Sequence, residues 1–387
     1  MEQRRIRAVF MRGGTSNGLI FRAEDLPLAG AGRDAVILAA MGSPDPNMRQ
    51  LDGMGGGISS LSKICIVGPS SHPGADVDYT FGQVGVDVPV VDYGGNCGNM
   101  SSAIGPFAVE EGMVPRPADG ATVVRIHNTN TGKVIASRFQ VRGGEPVVEG
   151  ETGLDGVAGT AAEIRLEFLD PGGSKTGKLL PTGNPVDVIE VPGLGPVEVS
   201  LVDAANPMVF VAAESLGVPG HMMPAEIDKD AVLLKRLDDI RLRGAVMMGM
   251  AADIDAAAKV LSVPKIAMLA PSCDAPTLSG KGLRAAEADI AARTISVGQP
   301  HKAIPLTAAL CLAAAARVPG TVAARLVASA TPGAIRIAHP SGTMSVDAEM
   351  GMEEGEVAVR HATVLRTARR MMEGAVCVPA RFFENLG

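Results

Sequence analysis

The chain has 387 residues, too many for one core of ordinary size, so we expect two domains. Apolar residues make up 46% and charged residues 20%, a globular composition that excludes disorder as the dominant state. Asp and Glu (42) outnumber Lys and Arg (35), and the resulting net charge of −7 argues against a sequence-independent nucleic-acid binder. Only 3% of residues are aromatic, which argues against base-stacking surfaces.

The pattern of cysteines and the length of the longest apolar stretch indicate the cellular compartment of the protein. The five cysteines are widely spread and form no C-x-x-C pair, so they predict neither a disulfide framework nor a tetrahedral zinc site. The amino end resembles no signal peptide, and the longest apolar stretch, near 304–316, is shorter than the roughly 18 residues that span a bilayer. We therefore expect a reduced, cytoplasmic protein with no membrane contact.

Short runs of strand-forming residues, mostly bounded by Gly, Pro, Asn or Asp, predict β-strands along the whole chain. In the first half they lie at 6–10, 18–21, 63–67, 77–84, 89–92, 122–127 and 133–141. In the second half they lie at 186–191, 197–202, 208–212, 265–269, 334–337 and 356–359. Helical periodicity predicts helices at 33–41, 229–248, 285–296 and near 364–373.

Two further predicted helices, 99–109 and 302–316, are apolar on nearly every side. A helix without a polar face must be enclosed, and short strands are what this chain has available to enclose it. We therefore predict an α+β fold of two similar lobes, each a curled, mostly antiparallel sheet around a central apolar helix. The predicted lobes are 1–187, with its helix near 97–110, and 188–375, with its helix near 301–317, followed by a tail at 376–387.

Both apolar helices begin in loops rich in Gly, Asn or Pro. The first four N–H groups of a helix lack partners within it and attract anions. If both amino ends face a cleft between the lobes, they form two anion-binding sites for one ligand. A small di- or tricarboxylate is the expected guest.

The strongest local signal is the segment YGGNCGNM, in which Cys97 stands at the mouth of the first apolar helix. The helix dipole favours a thiolate at that position. The surrounding segment offers open amides and amide side chains to a carboxylate, at Asn96, Gly98, Asn99 and Met100. The plainer alternative is a small cysteine packed in a turn.

Lys63 follows Ser62 in SSLSKICIV and heads a run too apolar to be solvated on both faces. A lysine that enters such a strand loses hydration, and its neutral amine becomes available as a base. The alternative is an edge lysine whose ammonium reaches solvent.

Three other loops carry groups suited to carboxylate binding. The segment MRGGTSN could serve instead as a plain hairpin turn; its candidate residues are Arg12, Gly14, Thr15 and Ser16. His301 and Lys302 stand where the second apolar helix is predicted to begin, and Ser341 and Gly342 follow a late strand.

The segment GGSKTGK at 172–178 matches part of a phosphate-binding loop. Leu179 occupies the position of the hydroxyl residue that would bind Mg²⁺, and no clear buried strand runs directly into the loop. The sequence therefore argues against nucleotide binding.

Nine segments in order carry a family resemblance: MRGGTSNG, GSPDP, DGMGGG with the following SK, DVDYTFGQV, GGNCGNMSSAIGPFA, HNTNTGK, LPTGN, HPSG and RTARRMMEG. Together they resemble the family of 2-methylaconitate cis–trans isomerase and 3-methylitaconate Δ-isomerase, which includes 4-oxalomesaconate tautomerase. HNTNTGK, TGKLLPTGN and VDAANPMVFV look most like the methylitaconate enzyme, whereas GGISSLSK leans toward the methylaconitate type.

The resemblance implies a diaminopimelate-epimerase-like fold and cofactor-independent, metal-free isomerisation of small unsaturated polycarboxylates. It also implies that Lys63 and Cys97 are the acid/base pair. We expect a 1,3-allylic proton shift or a cis–trans isomerisation, with Lys63 as the leading base. In the epimerase fold each lobe supplies a catalytic cysteine, but here Cys311 lies inside the second helix rather than at its start. A homodimer is possible; the competing functions are a carboxylate-binding accessory protein and an amino-acid epimerase.

Overall fold

The structure, a computed structural model, describes residues 2–327, 333–353 and 355–383. The chain divides into two compact units. The first unit contains Met1–Leu166 and Leu365–Gly387, and the second contains Glu167–Val364. None of the helices in these described ranges is both long and apolar enough to cross a membrane.

Strands predominate in the first part of the chain. They are β1 (Gln3–Gly13), β2 (Ser16–Arg22), β3 (Lys63–Pro69), β4 (Val77–Val84), β5 (Val91–Asp92), β6 (Gly120–Asn128), β7 (Lys133–Arg142), β8 (Glu145–Pro146), β9 (Thr152–Gly153), β10 (Thr160–Ala161) and β11 (Ile164–Leu169). The helices are α1 (Ala31–Met41) and α2 (Gly98–Glu110), with 3₁₀ turns at Ala23–Asp25 and Ser59–Leu61.

The second part of the chain carries more helices. Its strands are β12 (Asp187–Val191), β13 (Gly195–Ala204), β14 (Asn206–Ala212), β15 (Lys265–Ala270), β16 (Ala275–Pro276), β17 (Gly282–Leu283), β18 (Ile290–Ser296), β19 (Gln299–Pro300), β20 (Ile335–His339), β21 (Gly342–Glu353), β22 (Glu356–Arg366) and β23 (Ala368–Pro379). Its helices are α3 (Pro224–Lys229), α4 (Ala231–Met247), α5 (Ile254–Ala258), α6 (Leu306–Ala316) and α7 (Val322–Leu326), with 3₁₀ turns at Glu214–Leu216, Ala285–Glu287 and Ala380–Phe383.

The two units repeat one pattern of strand pairing. In the first unit the spatial order is β23, β1, β2, β3, β4, β6, β7. In the second unit it is β12, β13, β14, β15, β18, β20, β21. Both series run antiparallel, antiparallel, parallel, antiparallel, parallel, antiparallel, so the predicted repeat of a mostly antiparallel sheet is confirmed.

Each sheet packs against its own apolar helix. In the first unit α2 contacts β1, β2, β3, β6, β7 and β23, and every residue from Gly98 to Val109 is buried. In the second unit α6 contacts β13, β14 and β21, and the residues from Leu306 to Ala315 are buried. Burial of a side chain such as Phe107 or Ile104 contributes about 1.5–3 kcal/mol, so enclosure of these helices stabilises each unit.

The shared pattern makes individual residues of the two units equivalent. Lys63 lies opposite Gln83 in β4 and begins β3, just as Lys265 begins β15 in the second unit. Ile266 pairs with Ile295, which places Ser296 at the position equivalent to Gln83. Cys97 caps the amino end of α2, and Pro305 occupies the corresponding position before α6.

Two predicted helices are wrong. The segment 285–296 contains a 3₁₀ turn followed by β18, and β18 is a fully buried strand that pairs with β15 and β20. Its alanines favour helix, but pairing on both edges overrides that local preference. The segment near 364–373 belongs to β22 and β23 instead, because β23 pairs along the full length of β1.

Two helix boundaries also differ from the prediction. The helix expected at 302 begins at Leu306, after Pro305 in an extended conformation. The helix expected at 229–248 is α4, which begins two residues later, while Lys229 ends α3. The carboxylate of Asp230 accepts a hydrogen bond from the Leu233 amide and caps α4.

The division of the chain differs from the predicted lobes of 1–187 and 188–375. Pairing of β23 with β1 joins the carboxyl-terminal segment to the first unit. Most of the predicted tail at 376–387 therefore lies in β23 and the following 3₁₀ turn, while 384–387 lie outside the described residues.

Candidate active site

Lys63 begins β3 as a buried side chain. It is 5% exposed, and its Nζ donates a hydrogen bond of 2.6 Å to Oε1 of Gln83. The same nitrogen lies 5.1 Å from the centre of the Phe81 ring. Gly18 passes so close that a Cβ there would lie 2.3 Å from the Lys63 carbonyl oxygen. The start of β3 is therefore closely packed and the amine has a defined position.

The surroundings of Lys63 favour a neutral amine. Burial lowers the pKa of Lys63, and the thiols of Cys97 and Cys65 counteract that effect when ionised. No Asp or Glu forms an ion pair with Lys63 within the described ranges. A primary amine with a lowered pKa can accept a proton, as a general base must.

Cys97 caps α2 in an extended conformation and is partly exposed. Its carbonyl oxygen accepts hydrogen bonds from the Ser101 amide (3.0 Å), the Ser101 hydroxyl (3.1 Å) and the Tyr79 hydroxyl (3.3 Å). These bonds hold the backbone that carries the thiol. Because Cys97 affects the pKa of Lys63, the two side chains interact electrostatically in the first unit.

A second thiol near Lys63 is shielded from solvent. Cys65 is fully buried in β3, and burial raises its pKa above the usual range for a thiol. Its sulfur lies 3.9 Å from the Tyr79 hydroxyl, whose pKa burial also raises. Of these two thiols, Cys97 is the one that reaches solvent.

Asn130 holds the loop that precedes α2. Its Nδ2 donates to the carbonyl oxygens of Phe81 and Tyr93, each at 2.9 Å, and its Oδ1 accepts from the Phe81 amide at 2.8 Å. The HNTNTGK segment thus links β4 to the segment that leads to Cys97.

The β1–β2 turn packs against the first turn of α2. Gly14 has φ +51°, and a Cβ there would lie 2.3 Å from Oδ1 of Asn99. Nδ2 of Asn99 donates to the Thr15 hydroxyl at 3.1 Å. Two of the loops predicted from sequence, MRGGTSN and YGGNCGNM, are therefore in contact.

Arg366 is a further candidate residue, which sequence reasoning missed. It is 3% exposed, and its Nε donates to Oδ1 of Asn99 at 3.3 Å. Burial lowers the pKa of Arg366 to about 9. The signal available was the RTARRMMEG segment, whose first arginine is this residue.

Arg12 braces the same turn from the other side. Its Nη1 donates to the carbonyl oxygens of Gly14 (3.0 Å) and Thr367 (3.1 Å) and to the Thr367 hydroxyl (3.0 Å). The guanidinium thus links the β1–β2 turn to Thr367, between β22 and β23.

The other candidates in the first unit are buried. Ser62 is fully buried; its hydroxyl accepts a hydrogen bond from Gln50 at 2.7 Å and donates to the Val84 carbonyl at 3.0 Å. The remaining buried candidates are Ser16, Asn96, Gly98, Asn99 and Met100.

In the second unit His301 and Lys302 lie in the segment between β19 and α6, and Ser341 lies in the turn between β20 and β21. His301 donates its backbone amide to the Thr294 carbonyl at 2.9 Å. The Ser341 hydroxyl donates to the Lys302 carbonyl at 2.6 Å, which joins the two predicted loops, and Gly342 begins β21. Within the second unit the structure brings Ser341 and Lys302 together.

The thiol of the second unit lies inside its helix. Cys311 is fully buried, its sulfur lies 3.4 Å from the Val202 carbonyl oxygen, and burial raises its pKa well above the usual value. A proton donor or acceptor for a ligand needs access to it, which Cys311 lacks.

The phosphate-loop-like segment binds a carboxylate of the chain itself. The amides of Lys175 and Thr176 each donate to Oδ2 of Asp203 at 2.8 Å, and the Ser174 hydroxyl donates to Oδ1 at 2.5 Å. The amides that would bind a phosphate are thus already used. Across the described ranges, no group of three or more His, Cys, Asp or Glu side chains has the geometry of a metal site.

Comparison with known proteins identifies the family. The PrpF protein family matches residues 3–379. The chain belongs to the PrpF family. A 2-methyl-aconitate isomerase of Cupriavidus necator is 42% identical over 98% of this chain and 99% of its own. A 3-methylitaconate isomerase of Eubacterium barkeri is also 42% identical, over 97% of this chain and 98% of its own. A 4-oxalomesaconate tautomerase of Pseudomonas putida is 39% identical over 98% of this chain and 97% of its own.

Solved structures confirm the predicted fold. A crystal structure of methylitaconate-delta-isomerase is 41% identical, covers 99% of this PrpF chain and 98% of its own, and gives a TM-score of 0.77. A hydroxyproline epimerase of Agrobacterium vitis shares only 14% identity but has a TM-score of 0.58 over 100% of this chain and 94% of its own. The protein is thus an isomerase with an epimerase-like fold, and the sequence-based expectation of both is confirmed.

Proposed function

We propose that this PrpF family member moves a carbon–carbon double bond in a small unsaturated di- or tricarboxylate by a 1,3-allylic proton shift. The observation that carries the proposal is the buried amine of Lys63, which has an amide oxygen as its hydrogen-bond partner and interacts with Cys97 at the amino end of α2. The substrates named for the relatives from Cupriavidus, Eubacterium and Pseudomonas are the candidates: methylaconitate, methylitaconate and oxalomesaconate.

The neutral amine of Lys63 removes a proton from the allylic carbon, and the electron pair moves through the double bond toward a carboxylate or carbonyl. The resulting dienolate takes a proton at the carbon two positions away, from the thiol of Cys97. Lys63 then carries the extra proton and Cys97 lacks one. Transfer of that proton from the ammonium to the thiolate, directly or through solvent, restores the starting state, and no redox step is needed.

Stabilisation of the developing negative charge is the larger requirement, since a carbon acid next to a carboxylate is weak. The first amides of α2 lack partners within the helix and can donate hydrogen bonds to that charge, and one such donor contributes about 3–4 kcal/mol in comparable sites. The buried Arg366, bonded to Asn99, adds a fixed positive charge beside this helix end.

Deuterium exchange tests the reaction class. NMR in D₂O with methylaconitate, methylitaconate, oxalomesaconate and aconitate should show deuterium entering the allylic carbon of at least one compound as its double bond moves. A carboxylate-binding accessory protein would exchange no carbon-bound proton. No exchange in any compound, with a folded protein, would reject the proposal.

Lys63→Met tests the base and should abolish turnover of the active compound. Lys265→Met is the matched control, because Lys265 is also buried and begins the equivalent strand of the second unit. Its Nζ donates to the Ser262 carbonyl at 2.8 Å, a backbone contact. We expect the control to keep turnover within about tenfold of the wild type; substantial turnover by Lys63→Met would remove Lys63 from the mechanism.

The proposal includes the cellular compartment in which the protein acts. The cysteines of the described chain are all free, which fits a reducing compartment, and we propose that the protein acts in the cytoplasm.

An amino-acid epimerase would use a thiol at the start of both central helices. Pro305 at the start of α6 and the buried Cys311 favour the allylic isomerase over that alternative.

A further inference from the structure

Gln83 is the direct polar partner of Lys63. The two residues lie opposite each other in the antiparallel pair β3–β4, and each is 5% exposed. The distance from Oε1 of Gln83 to Nζ of Lys63 is 2.6 Å. Side chains directly opposite in such a pair lie on the same face of the sheet, so the strand register itself brings the amide to the amine.

The orientation of the Gln83 amide is fixed by its other end. Nε2 donates to the carbonyl oxygens of Ser59 at 3.0 Å and Ser62 at 2.8 Å. A rotation of the amide by half a turn would place Oε1 against two carbonyl oxygens, which cannot donate. Gln83 therefore presents an acceptor, and only an acceptor, to Lys63.

The segment that fixes Gln83 is itself held by buried contacts. The Ser62 hydroxyl bonds to Gln50 and to the Val84 carbonyl, and Oε1 of Gln50 accepts from the Gly57 amide at 2.9 Å. Gln50 is 1% exposed and Ser62 is fully buried. The path from Gln50 through Ser62 to Gln83 is thus a continuous, water-excluded set of hydrogen bonds that ends at the amine.

The second unit shows that the fold does not require this amide. Lys265 begins the strand equivalent to β3, but Ser296 stands where Gln83 stands in the first unit. There the lysine donates to a backbone carbonyl, that of Ser262, at 2.8 Å. At the equivalent place in the second unit a buried lysine thus donates to a backbone carbonyl, whereas Lys63 donates to a side-chain amide.

We infer that Gln83 is a positioning residue for Lys63: it holds one N–H of the amine, so that the nitrogen lone pair points at the substrate carbon, and it does so without adding negative charge. The inference rests on the proposed role of Lys63 as base. A neutral primary amine has two N–H groups and one lone pair, so fixing one N–H restricts where the lone pair can point. After proton abstraction the ammonium still donates to the same oxygen, and the anchor is unchanged.

The choice of an amide over a carboxylate follows from charge. A carboxylate at the same distance would stabilise the ammonium and raise the pKa of Lys63, typically by 1–3 pH units. The other titratable groups that face this region are the thiols of Cys65 and Cys97, the Tyr79 hydroxyl, and Asp92, which lies opposite Gln83 in β5 and accepts from the Gly94 amide at 2.6 Å. These groups are the same in all the variants compared below. A change in the pKa of Lys63 on substitution of Gln83 is therefore due to the replaced amide.

Two substitutions separate position from charge. Gln83→Glu keeps the shape and adds a carboxylate; we expect the acidic limb of the pH profile of kcat to move upward by one or more pH units, with activity recovering in alkaline solution. Gln83→Met removes the acceptor; we expect kcat to fall about a hundredfold at every pH, as for a misplaced catalytic group, with KM changed less than threefold. Gln140→Glu, an exposed position in β7, controls for added charge.

A titration independent of turnover completes the test. In protein with carbon-13-labelled lysine, the Cε resonance of Lys63, assigned by its loss in Lys63→Met, should titrate at higher pH in Gln83→Glu than in the wild type or Gln140→Glu. An unchanged titration in Gln83→Glu, or a Gln83→Met variant within twofold of wild-type kcat, would overturn the inference. If instead the wild type isomerises nothing while the Lys63 titration moves as stated, the proposed function fails and the Gln83–Lys63 coupling stands.

Discussion

The contact between the β1–β2 turn and α2 can be tested at a single glycine. Gly14 has φ +51°, and a Cβ added there would lie 2.3 Å from Oδ1 and 3.0 Å from Cγ of Asn99. Real Cβ atoms do not approach other atoms this closely, so Gly14→Ala must displace Asn99. That side chain binds Thr15 and Arg366, and its residue follows Gly98 at the start of α2.

The expected cost has two parts. An alanine in the left-handed region costs about 1–2 kcal/mol relative to glycine. Forcing a side chain into a filled site adds about 1–3 kcal/mol. The sum predicts that Gly14→Ala lowers the free energy of unfolding of the first unit by about 2–5 kcal/mol.

Gly112→Ala isolates the second part. Gly112 has φ +65° and lies in the same unit, but a Cβ there would meet nothing within 4 Å. It should therefore cost only the backbone part, about 1–2 kcal/mol, and leave Asn99 in place. The difference between the two variants measures the contact with Asn99.

Tyrosine fluorescence in urea gives the readout. The chain has no Trp and two Tyr, Tyr79 and Tyr93, and both belong to the first unit. Unfolding of that unit is thus visible without interference from the second. Turnover of the active carboxylate should fall at least tenfold in Gly14→Ala and stay near the wild type in Gly112→Ala. Equal destabilisation of the two variants, with normal turnover in both, would refute the proposed contribution of this contact.

Three further predictions concern buried charge. Lys63→Met should raise the free energy of unfolding of the first unit near neutral pH, because it removes a buried amine. The pKa of Lys63 in the folded protein lies below its usual 10.5. At pH values between the two, the unfolded chain therefore binds more protons than the folded one. Wild-type stability should therefore rise with pH toward 10.5, and urea titrations should show a weaker rise in the variant. Arg366→Lys keeps a positive charge but loses the Nε contact with Asn99; we expect KM for the polycarboxylate to increase roughly tenfold or more, the value of a charged hydrogen bond, with a smaller effect on kcat in steady-state assays. Asp203→Asn places an NH₂ group against donors that now bind a carboxylate and should cost the second unit about 1.5–3 kcal/mol, seen as faster amide hydrogen exchange in β13 and β14. Unchanged exchange in that variant would show that the loop does not depend on Asp203.

Local pattern was sufficient for most strands and for both central helices. The run KICIVGP and the run VDYTFGQV carry strand-forming residues between breakers, and both are strands in the structure. The helices α2 and α6 were predicted because they lack a polar face, which leaves burial as the only stable environment.

Pattern failed where pairing decided the conformation. The residues of β18 include two alanines and an arginine that favour helix, yet the strand lies buried between β15 and β20. The residues of β23 suit an amphipathic helix as well as a strand, and only pairing with β1 from the opposite end of the chain selects the strand. Such partners are far away in sequence, so a local window contains no information about them.

The same limit applied to the site. Lys63 and Cys97 were selected as candidates from their immediate neighbours, an apolar strand and a glycine-rich helix start. Gln83 and Arg366 were not, because each acts on a residue distant in sequence: Gln83 on Lys63 across a strand pair, and Arg366 on Asn99 from the carboxyl-terminal segment. Their side chains matter only after the sheet has formed.

Charge balance explains why a lysine base would be given an amide partner in this isomerase. A polycarboxylate substrate brings several negative charges, and each of them favours the ammonium form of a nearby lysine over the amine that removes a proton. Burial of Lys63 opposes that effect, and Gln83, being neutral, adds nothing to it. The carboxylates then need cations other than the base, and the first unit offers Arg366 beside Asn99. If this division of labour is correct, Gln83→Glu should impair the reaction most strongly with the most highly charged substrate, because the added carboxylate and the substrate then act in the same direction on Lys63.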